Sequence, residues 1–343
     1  MKEPKKKKVR LSYSALSTLD KCSWLYHCQY VLKLPDKSND GAKRGTVVHD
    51  IFEILTKEKR HKKHVKQIIE TEDVKMCEPI RRLAIKFAKR GEVDSLENID
   101  IIYGMIVTGL KNDFYCKGAT TVKAEGQFLL NAKEGYEMKG FIDKAAVYKD
   151  GSARIVDYKG SKSKFKKKEL ADSIQAQMYS LAYYEMHGVI PQVEFLFLRF
   201  PNNPVQRFKL CTKAGLAGFK YYLDHVAKGL EVFDEKAAKQ RFAGAKPWPK
   251  PEDGFSGPLI CGRAKQKGQL KKDNTPMWHC SQKFPYDYYA QVDEDGKVYR
   301  TAFEEEELKE KEGYKIEKKH YEGCPYFNKS TKFVKNDEDP FDF

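Results

Sequence analysis

The chain has 343 residues, 41% of them hydrophobic, and 64 Lys and Arg stand against 49 Asp and Glu for a formal net charge of +15. That length supports one large core or two modest ones, and the charge makes polyanions the expected partners. No apolar run is long enough for a bilayer and no secretory signal opens the sequence, so no membrane partner is expected, structural disulfides are set aside and a cytoplasmic location is expected.

Met1 to Arg10 reads MKEPKKKKVR. The string resembles a nuclear-import signal, which leaves the nucleus open, and it serves equally as a disordered arm that tethers DNA; the arm, over 1–10, is the preferred reading. A helix is expected from about Ser14 to Leu32. Another runs from Thr46 to about Lys59, where Val47, Val48, Ile51, Phe52, Ile54 and Leu55 make a broad apolar face with His49 and Glu53 one turn apart at its side. Judged on the helix alone, His49 is an ordinary packed, hydrogen-bonded histidine. Helical periodicity returns from Pro79 to Tyr115, with Pro79 at a start and Gly91 at an end, and predicts a helical lobe within an insert over about 60–118.

β-Branched and aromatic runs then predict strands over Thr121–Leu130, Tyr136–Tyr148 and Ala153–Lys159. The second carries Asp143 and the third carries Asp157 and Lys159, which share a face because side chains alternate along a strand. Whether Asp143 joins them depends on the turn at Asp150-Gly151. A two-residue turn would put Asp143 beside Tyr158 and split the two acids between opposite faces. A three-residue loop of Lys149, Asp150 and left-handed Gly151 pairs Tyr148 with Ser152 and sets Asp143 opposite Asp157. The second register is the expectation. Two facing carboxylates repel unless a cation lies between them, and oxygen ligands suit Mg²⁺ or Mn²⁺ rather than zinc. The plain alternative is an exposed hairpin with a surface salt bridge.

Lys162, Lys164, Lys166, Lys167 and Lys168 follow at once, expected on a loop that binds phosphates without reading sequence, or else merely solvated. A helix over about Ser173–His187 is predicted to begin at Asp172, which has capping-box spacing to Gln175, and to stop at Gly188. Gln175 and Tyr179 project from one face of it. Strands over Val193–Phe200 and Val205–Cys211 flank the turn Pro201-Asn202-Asn203-Pro204, and a helix spans about Lys213–Lys239. After Ala245 prolines and glycines lead into a tail that holds Cys261, Cys280 and Cys324. The aromatic piece Phe284 to Tyr289 fits packing around a tail core slightly better than stacking on unpaired bases. Cys28, Cys77, Cys116 and Cys211 are read as packed thiols.

In chain order, the helical His49 after Gly45, the Gly-x-x-Asp ending at Asp143, the Asp-x-Lys of Asp157 and Lys159, and Gln175-x-x-x-Tyr179 resemble the PD-(D/E)xK nuclease superfamily, in the branch of RecB, AddB and Cas4 type exonucleases, phage members included. Leu11 to Leu16, running on to Cys22, is similar to that branch's opening signature, and the likeness spans roughly 11–211. The resemblance implies an α/β fold with the restriction-endonuclease-like core, an αβββαβ mixed sheet flanked by helices over 11–245, and a cysteine-bearing tail over 246–343 that packs back on the N-terminal helix. It implies a metal-dependent DNA exonuclease of phage or bacterial recombination, repair or replication, with a helicase or single-strand annealing protein as a possible partner class. His49, Asp143, Asp157 and the carbonyl of Tyr158 are the implied ligands of Mg²⁺ or Mn²⁺. Lys159 assists the attack of water, Gln175 and Tyr179 support the site, and Glu125 either binds through water or pairs with lysines. Cys22, Cys261, Cys280 and Cys324 correspond to one early and three late cysteines that hold a [4Fe-4S] cluster in the branch. Here the late ones lie farther apart, so zinc with His279 or His320, or no metal at all, stay open. A non-catalytic nucleic-acid-binding protein and an endonuclease on the same core are the alternative functions.

Overall fold

Alternating burial along residues 137–148 makes that segment the spine of a mixed sheet, with Met138, Ile142, Lys144 and Ala146 turned inward. In the computed structural model, which describes residues 8–36, 39–57, 61–131, 135–239, 246–247, 259–260 and 280–325, the sheet has six strands: β1 (Arg10–Leu11), β2 (Ala119–Asn131), β3 (Glu137–Tyr148), β4 (Ala153–Lys159), β5 (Gln192–Phe197) and β6 (Val205–Arg207). β2 runs antiparallel to β3 along its whole length. The other edge of β3 is shared. β4 pairs antiparallel with residues 144–147, and β1 pairs parallel with Glu137 and Met138. Residues 139–143 therefore lie between two partners and pair with neither. β4 and β5 are parallel, joined through the helix Ile174–His187, and β6 closes the far edge antiparallel to β5.

Helices Asp40–Lys57, Lys62–Thr71, Glu78–Arg90 and Leu96–Lys111 build the helical lobe. Val48, Ile51, Leu55, Ile68, Ile80 and Ile102 are buried in a cluster that also takes in Val156 and Tyr158 of β4. Phe52, 2% exposed, sits against the rings of Tyr158 (4.6 Å) and Phe114 (5.4 Å), a burial that contributes about 1.5–3 kcal/mol. Gly109 makes it possible, because a Cβ there would lie 2.2 Å from the Phe52 ring.

Two compact units emerge, residues 1–13 with 38–230 and residues 14–37 with 231–343. The second unit joins Ser23–Tyr26 and the π-helical turn His27–Val31 to a three-stranded antiparallel sheet, in which Tyr286–Val292 lies between Val298–Ala302 and Lys315–Tyr321. Trp24, Cys28, Leu34, Ala238 and Tyr321 share its core, and Trp24 Nε1 donates to the Tyr321 hydroxyl at 3.0 Å. Tyr286 packs on Tyr321 (5.3 Å) and Phe303 (5.5 Å), so within Phe284 to Tyr289 this ring is a packing residue.

Several expected boundaries move. The basic arm expected over 1–10 gives way before its end, since Arg10 is drawn into β1 by its ion pair to Glu137 (2.8 Å) and by the ladder to β3. Residues 14–37 and the stretch from 231 to 245 group with the tail rather than with a core over 11–245. The helix expected over 14–32 is interrupted at Cys22, whose sulfur caps the next helix by accepting from Leu25 N–H. The helix expected to reach Lys239 stops at Glu231, and Asp234 caps a new short turn, Glu235–Ala238. β5 and β6 end earlier than expected, at Phe197 and Arg207.

Lys144 is the least ordinary core residue. It is 1% exposed, its Nζ donates to the Phe114 carbonyl at 2.6 Å, and it lies 3.5 Å from the centre of the Phe114 ring. Burial pushes its pKa from 10.5 down to about 7. Below pH 7 both folded and unfolded chains carry this proton. Between there and the ordinary lysine value the unfolded chain binds more protons, so stability rises with pH. Denaturant titrations from pH 7 to 10 should show that rise in the wild type and a flatter profile in Lys144→Met.

Candidate active site

The loop between β3 and β4 adopts the three-residue form. Tyr148 N–H donates to Ser152 O at 2.9 Å, Gly151 has φ +81°, and the pairs run Val147 with Ala153 down to Lys144 with Val156. One step further, that register would set Asp143 opposite Asp157. The ladder has already ended there. Had it continued, Tyr158 N–H would donate to the Ile142 carbonyl; instead Asp143 Oδ2 accepts it at 2.8 Å. Strand splay thus brings the Asp143 carboxylate into the space between the strands.

Asp157 is 3% exposed and held from the helix Ile174–His187. Its Oδ1 accepts from Gln175 Nε2 at 2.7 Å and from the Tyr179 hydroxyl at 2.8 Å. Lys159 Nζ donates to Gln175 Oε1 at 2.7 Å and stands 2.7 Å from Asp157 Oδ2. That second oxygen is buried and receives no directed hydrogen bond. Burial pushes the Asp157 pKa up, Lys159 opposes this, and the like charge of Asp143 adds to the rise. The helix starts at Ser173, whose Oγ accepts from Ala176 N–H, and not at Asp172, which ends the preceding short helix Lys167–Ala171. Gln175 is thereby released from the expected capping role and spends its amide on Asp157 and Tyr179. Gly188 ends the helix with φ +72°.

His49 approaches from the helix Asp40–Lys57. Its Nδ1 lies 3.3 Å from Asp143 Oδ1 and its Nε2 lies 3.1 Å from the Tyr158 carbonyl. Both ring nitrogens face acceptors, which suits an imidazolium. Burial alone would lower its pKa, but the bond to Asp143, the charges of Asp143 and Asp157 and the Tyr158 carbonyl raise it to about 9. Glu53, one turn on, forms an ion pair with Lys57 and borders a cavity of about 10 Å³ shared with His49, Phe52, Thr56, Asp143 and Tyr158, room on the order of one water molecule.

Of the four implied ligands, His49, Asp143 and Tyr158 border one small cavity, and Asp157 lies near enough for its charge to bear on both His49 and Asp143. Among the described residues, no three His, Cys, Asp or Glu side chains surround a common point at ligand distances; they satisfy one another instead. The donor set still fits a hard divalent cation: two carboxylates and a carbonyl, with a buried oxygen of Asp157 that faces the Lys159 ammonium but takes no directed hydrogen bond.

The lysine segment is only partly the loop that the sequence predicts. Lys162, Lys166, Lys167 and Lys168 are exposed, Lys167 and Lys168 belong to a short helix, and Lys164 Nζ is tied to the Asn203 carbonyl. Phe165 anchors the segment by edge-on packing against Phe195 (4.9 Å) and by paired bonds with the Gln206 amide. Glu125 lies within β2. Gly140, of the Gly-x-x-Asp string, has a packing reason: a Cβ there would meet the Phe128 ring at 2.3 Å, and that ring lies edge-on to Tyr179. The anchor Phe165 and the partner Phe128 carried no signal in the sequence.

Of the cysteines, Cys22 and Cys324 border the apolar cluster that contains Cys28. The Cys28 thiol is pushed up to about 12 by burial, with smaller contributions from the neighbouring Cys280, Cys324 and Cys22. Cys261 and His279 lie outside the described residues. His320 pairs with Asp287 at 2.6 Å. Cys77 is buried and Cys116 is 1% exposed, as packed thiols are, whereas Cys211 is half-buried.

The family model of the PD-(D/E)XK nuclease superfamily matches residues 10–326. A protein of Streptococcus agalactiae named as a subunit of the ATP-dependent helicase/deoxyribonuclease is 29% identical over 185 residues, 51% of this chain and 16% of that protein. The Streptococcus mutans protein of the same name is 27% identical over 176 residues, 50% of this chain and again 16% of the relative. The match thus spans about a sixth of the length of these curated relatives. A crystal structure of a candidate exonuclease from Eubacterium rectale aligns with a TM-score of 0.42 at 11% identity, covering 72% of this chain and 93% of that one.

Proposed function

Since the chain belongs to the PD-(D/E)XK nuclease superfamily, we propose that it hydrolyses DNA phosphodiester bonds as a Mg²⁺- or Mn²⁺-dependent exonuclease. The observation that carries this reading is the division of labour at Asp157. Gln175 and Tyr179 saturate Oδ1, while Oδ2 is left buried beside Lys159 and across from Asp143. Asp143, Asp157, the Tyr158 carbonyl and His49 would hold the cation. When bound, it supplies Lewis acidity toward a phosphoryl oxygen and favours ionisation of water. Lys159, oriented by Gln175, offsets negative charge that grows on the phosphate in the transition state. Tyr179 and Gln175 fix the carboxylate, and Asp143 holds His49 and the Tyr158 backbone in register. A small shift in any of these contacts lowers the rate steeply, because the reacting groups act only when aligned.

The deoxyribonuclease and helicase-partner parts of the reading take support from the streptococcal relatives, which are named as helicase/deoxyribonuclease subunits. They fit bacterial or phage recombination or repair in a cytoplasm, and no described helix is long and apolar enough to cross a membrane. In the second unit, Cys22, Cys280 and Cys324 with Cys261 are proposed to hold a [4Fe-4S] cluster, supported by the proximity of the first three around Cys28.

With Mg²⁺ present, Asp157→Ala and Lys159→Ala should each abolish cleavage of end-labelled linear DNA while leaving DNA affinity in EDTA unchanged; retained cleavage by either variant overturns the site. Covalently closed circles should survive the wild type, and their digestion would make the protein an endonuclease. Protein prepared without air should absorb broadly in the visible and lose that band in Cys280→Ser, whereas colourless, iron-free protein would contradict the cluster.

A further inference from the structure

Arg199 carries a guanidinium nitrogen that is buried without an acceptor, and the charge of Arg199 bears on a second buried arginine, Arg44; among the described residues no carboxylate is ion-paired with either. Arg44, 8% exposed, gives Nη1 to the side-chain carbonyl of Asn98, whose amide is in turn held by Asp40 at 3.1 Å. Arg199 lies close enough for its charge to bear on Arg44, and together with burial this lowers the Arg44 pKa. Arg199 Nη1 is buried and meets no acceptor. Among the described residues neither arginine forms an ion pair. A buried charged donor left unsatisfied is costly, and an anionic acceptor relieves that cost.

The location is specific. Leu198 N–H donates to the Lys159 carbonyl at 2.9 Å, so Arg199 is one residue from a contact with the catalytic strand end. Gly160 comes as near to Gly45, next to Arg44, as a Cβ contact of 3.7 Å. Arg199 also lines an open groove of about 450 Å³ between residues 72–75, the helix Leu96–Lys111 and residues 198–201. The acids on that groove are occupied within the protein. Glu72 pairs with Lys111, Asp100 pairs with Lys75 at 3.1 Å, and Asp73 caps Lys75 N–H at 2.8 Å. Among the described residues lining the groove, Arg199 is the cation without a partner.

We propose that Arg199 grips a phosphate of the bound DNA strand adjacent to the phosphate at Lys159. A planar guanidinium matches two phosphate oxygens at once. Arg199 is a binding and positioning residue: it sets which linkage rests at Lys159. The proposal rests on the nuclease reading for the identity of the polyanion. The ligand chemistry is a phosphate oxyanion, from either an internal linkage or a 5′-terminal phosphate.

The test is binding in EDTA, which separates it from cleavage. Fluorescence anisotropy with labelled duplexes that end in 5′-phosphate or 5′-hydroxyl should show Arg199→Gln weakening affinity about tenfold and reducing the slope of log affinity against log salt by about 0.9. Arg199→Lys should keep the slope and lose part of the affinity, an outcome that a purely structural role would not produce. Loss on both duplexes assigns an internal phosphate, and loss confined to the phosphorylated one assigns the terminal group. If Arg199→Gln fails to fold, Arg199→Lys decides: wild-type affinity on both duplexes overturns the proposal. Unchanged affinity and slope in Arg199→Gln overturn it as well. Should Asp157→Ala abolish cleavage while Arg199→Gln binds as wild type does, the phosphate grip falls and the nuclease reading stands; weakened binding by Arg199→Gln beside a wild type that never cleaves gives the reverse.

Discussion

Beyond Lys144 and Val156 the central hairpin stops pairing, and the site depends on what fills that opening. A backbone N–H left unpaired between two strands needs an acceptor, and the Asp143 carboxylate supplies one to Tyr158. The same carboxylate faces His49 through its other oxygen. One side chain therefore closes the end of the ladder, holds the imidazole and lies near enough to Asp157 for the two charges to interact. β1 then takes up the edge of β3 from Met138 back to Glu137, so the opening stays confined to residues 139–143 instead of running to the end of the sheet. The gap is a fixed feature of the strand arrangement, which suits a site that must keep charged groups aligned.

Charge compensation in that gap explains the outer ring of residues. A carboxylate as buried as Asp157 is costly unless hydrogen-bonded and paired. Gln175 and Tyr179 meet the first need and Lys159 the second, and Gln175 links the two by accepting from Lys159 while it donates to Asp157. The apolar support lies just behind: Phe52 against Tyr158 on the lobe side, admitted by Gly109, and Phe128 near Tyr179, admitted by Gly140. Removing a methyl-sized space at either glycine would press on a ring that borders the site.

Much of this was legible in the sequence because the relevant signals are local. The period-two pattern placed β3 and β4, the Asp150-Gly151 turn chemistry fixed a register that set Asp143 opposite Asp157, and the i, i+4 spacing put Gln175 and Tyr179 on one helix face. The misreadings arose where a local signal had a tertiary competitor. Asp172 has good capping spacing, but Gln175 is claimed by Asp157 and Ser173 takes the cap. The opening string is basic throughout, yet Arg10 finds Glu137 across a parallel ladder that no local pattern announces. Lys144 sits on a strand face that periodicity assigns to the core, and only the Phe114 carbonyl and ring, brought from a distant turn, explain its burial. The Arg44 and Arg199 pair belongs to the same class, since nothing in the sequence links positions so far apart.

On the function proposed above, the neighbouring carboxylates of Asp143 and Asp157 form a cation site in this gap. Electron paramagnetic resonance titration of chelator-stripped protein with Mn²⁺ tests it most directly, because it reads occupancy without requiring cleavage. Saturable Mn²⁺ binding that Mg²⁺ displaces and that Asp143→Asn abolishes is the predicted result. Equal Mn²⁺ binding by wild type and Asp143→Asn, or none by the wild type with DNA present, would contradict it.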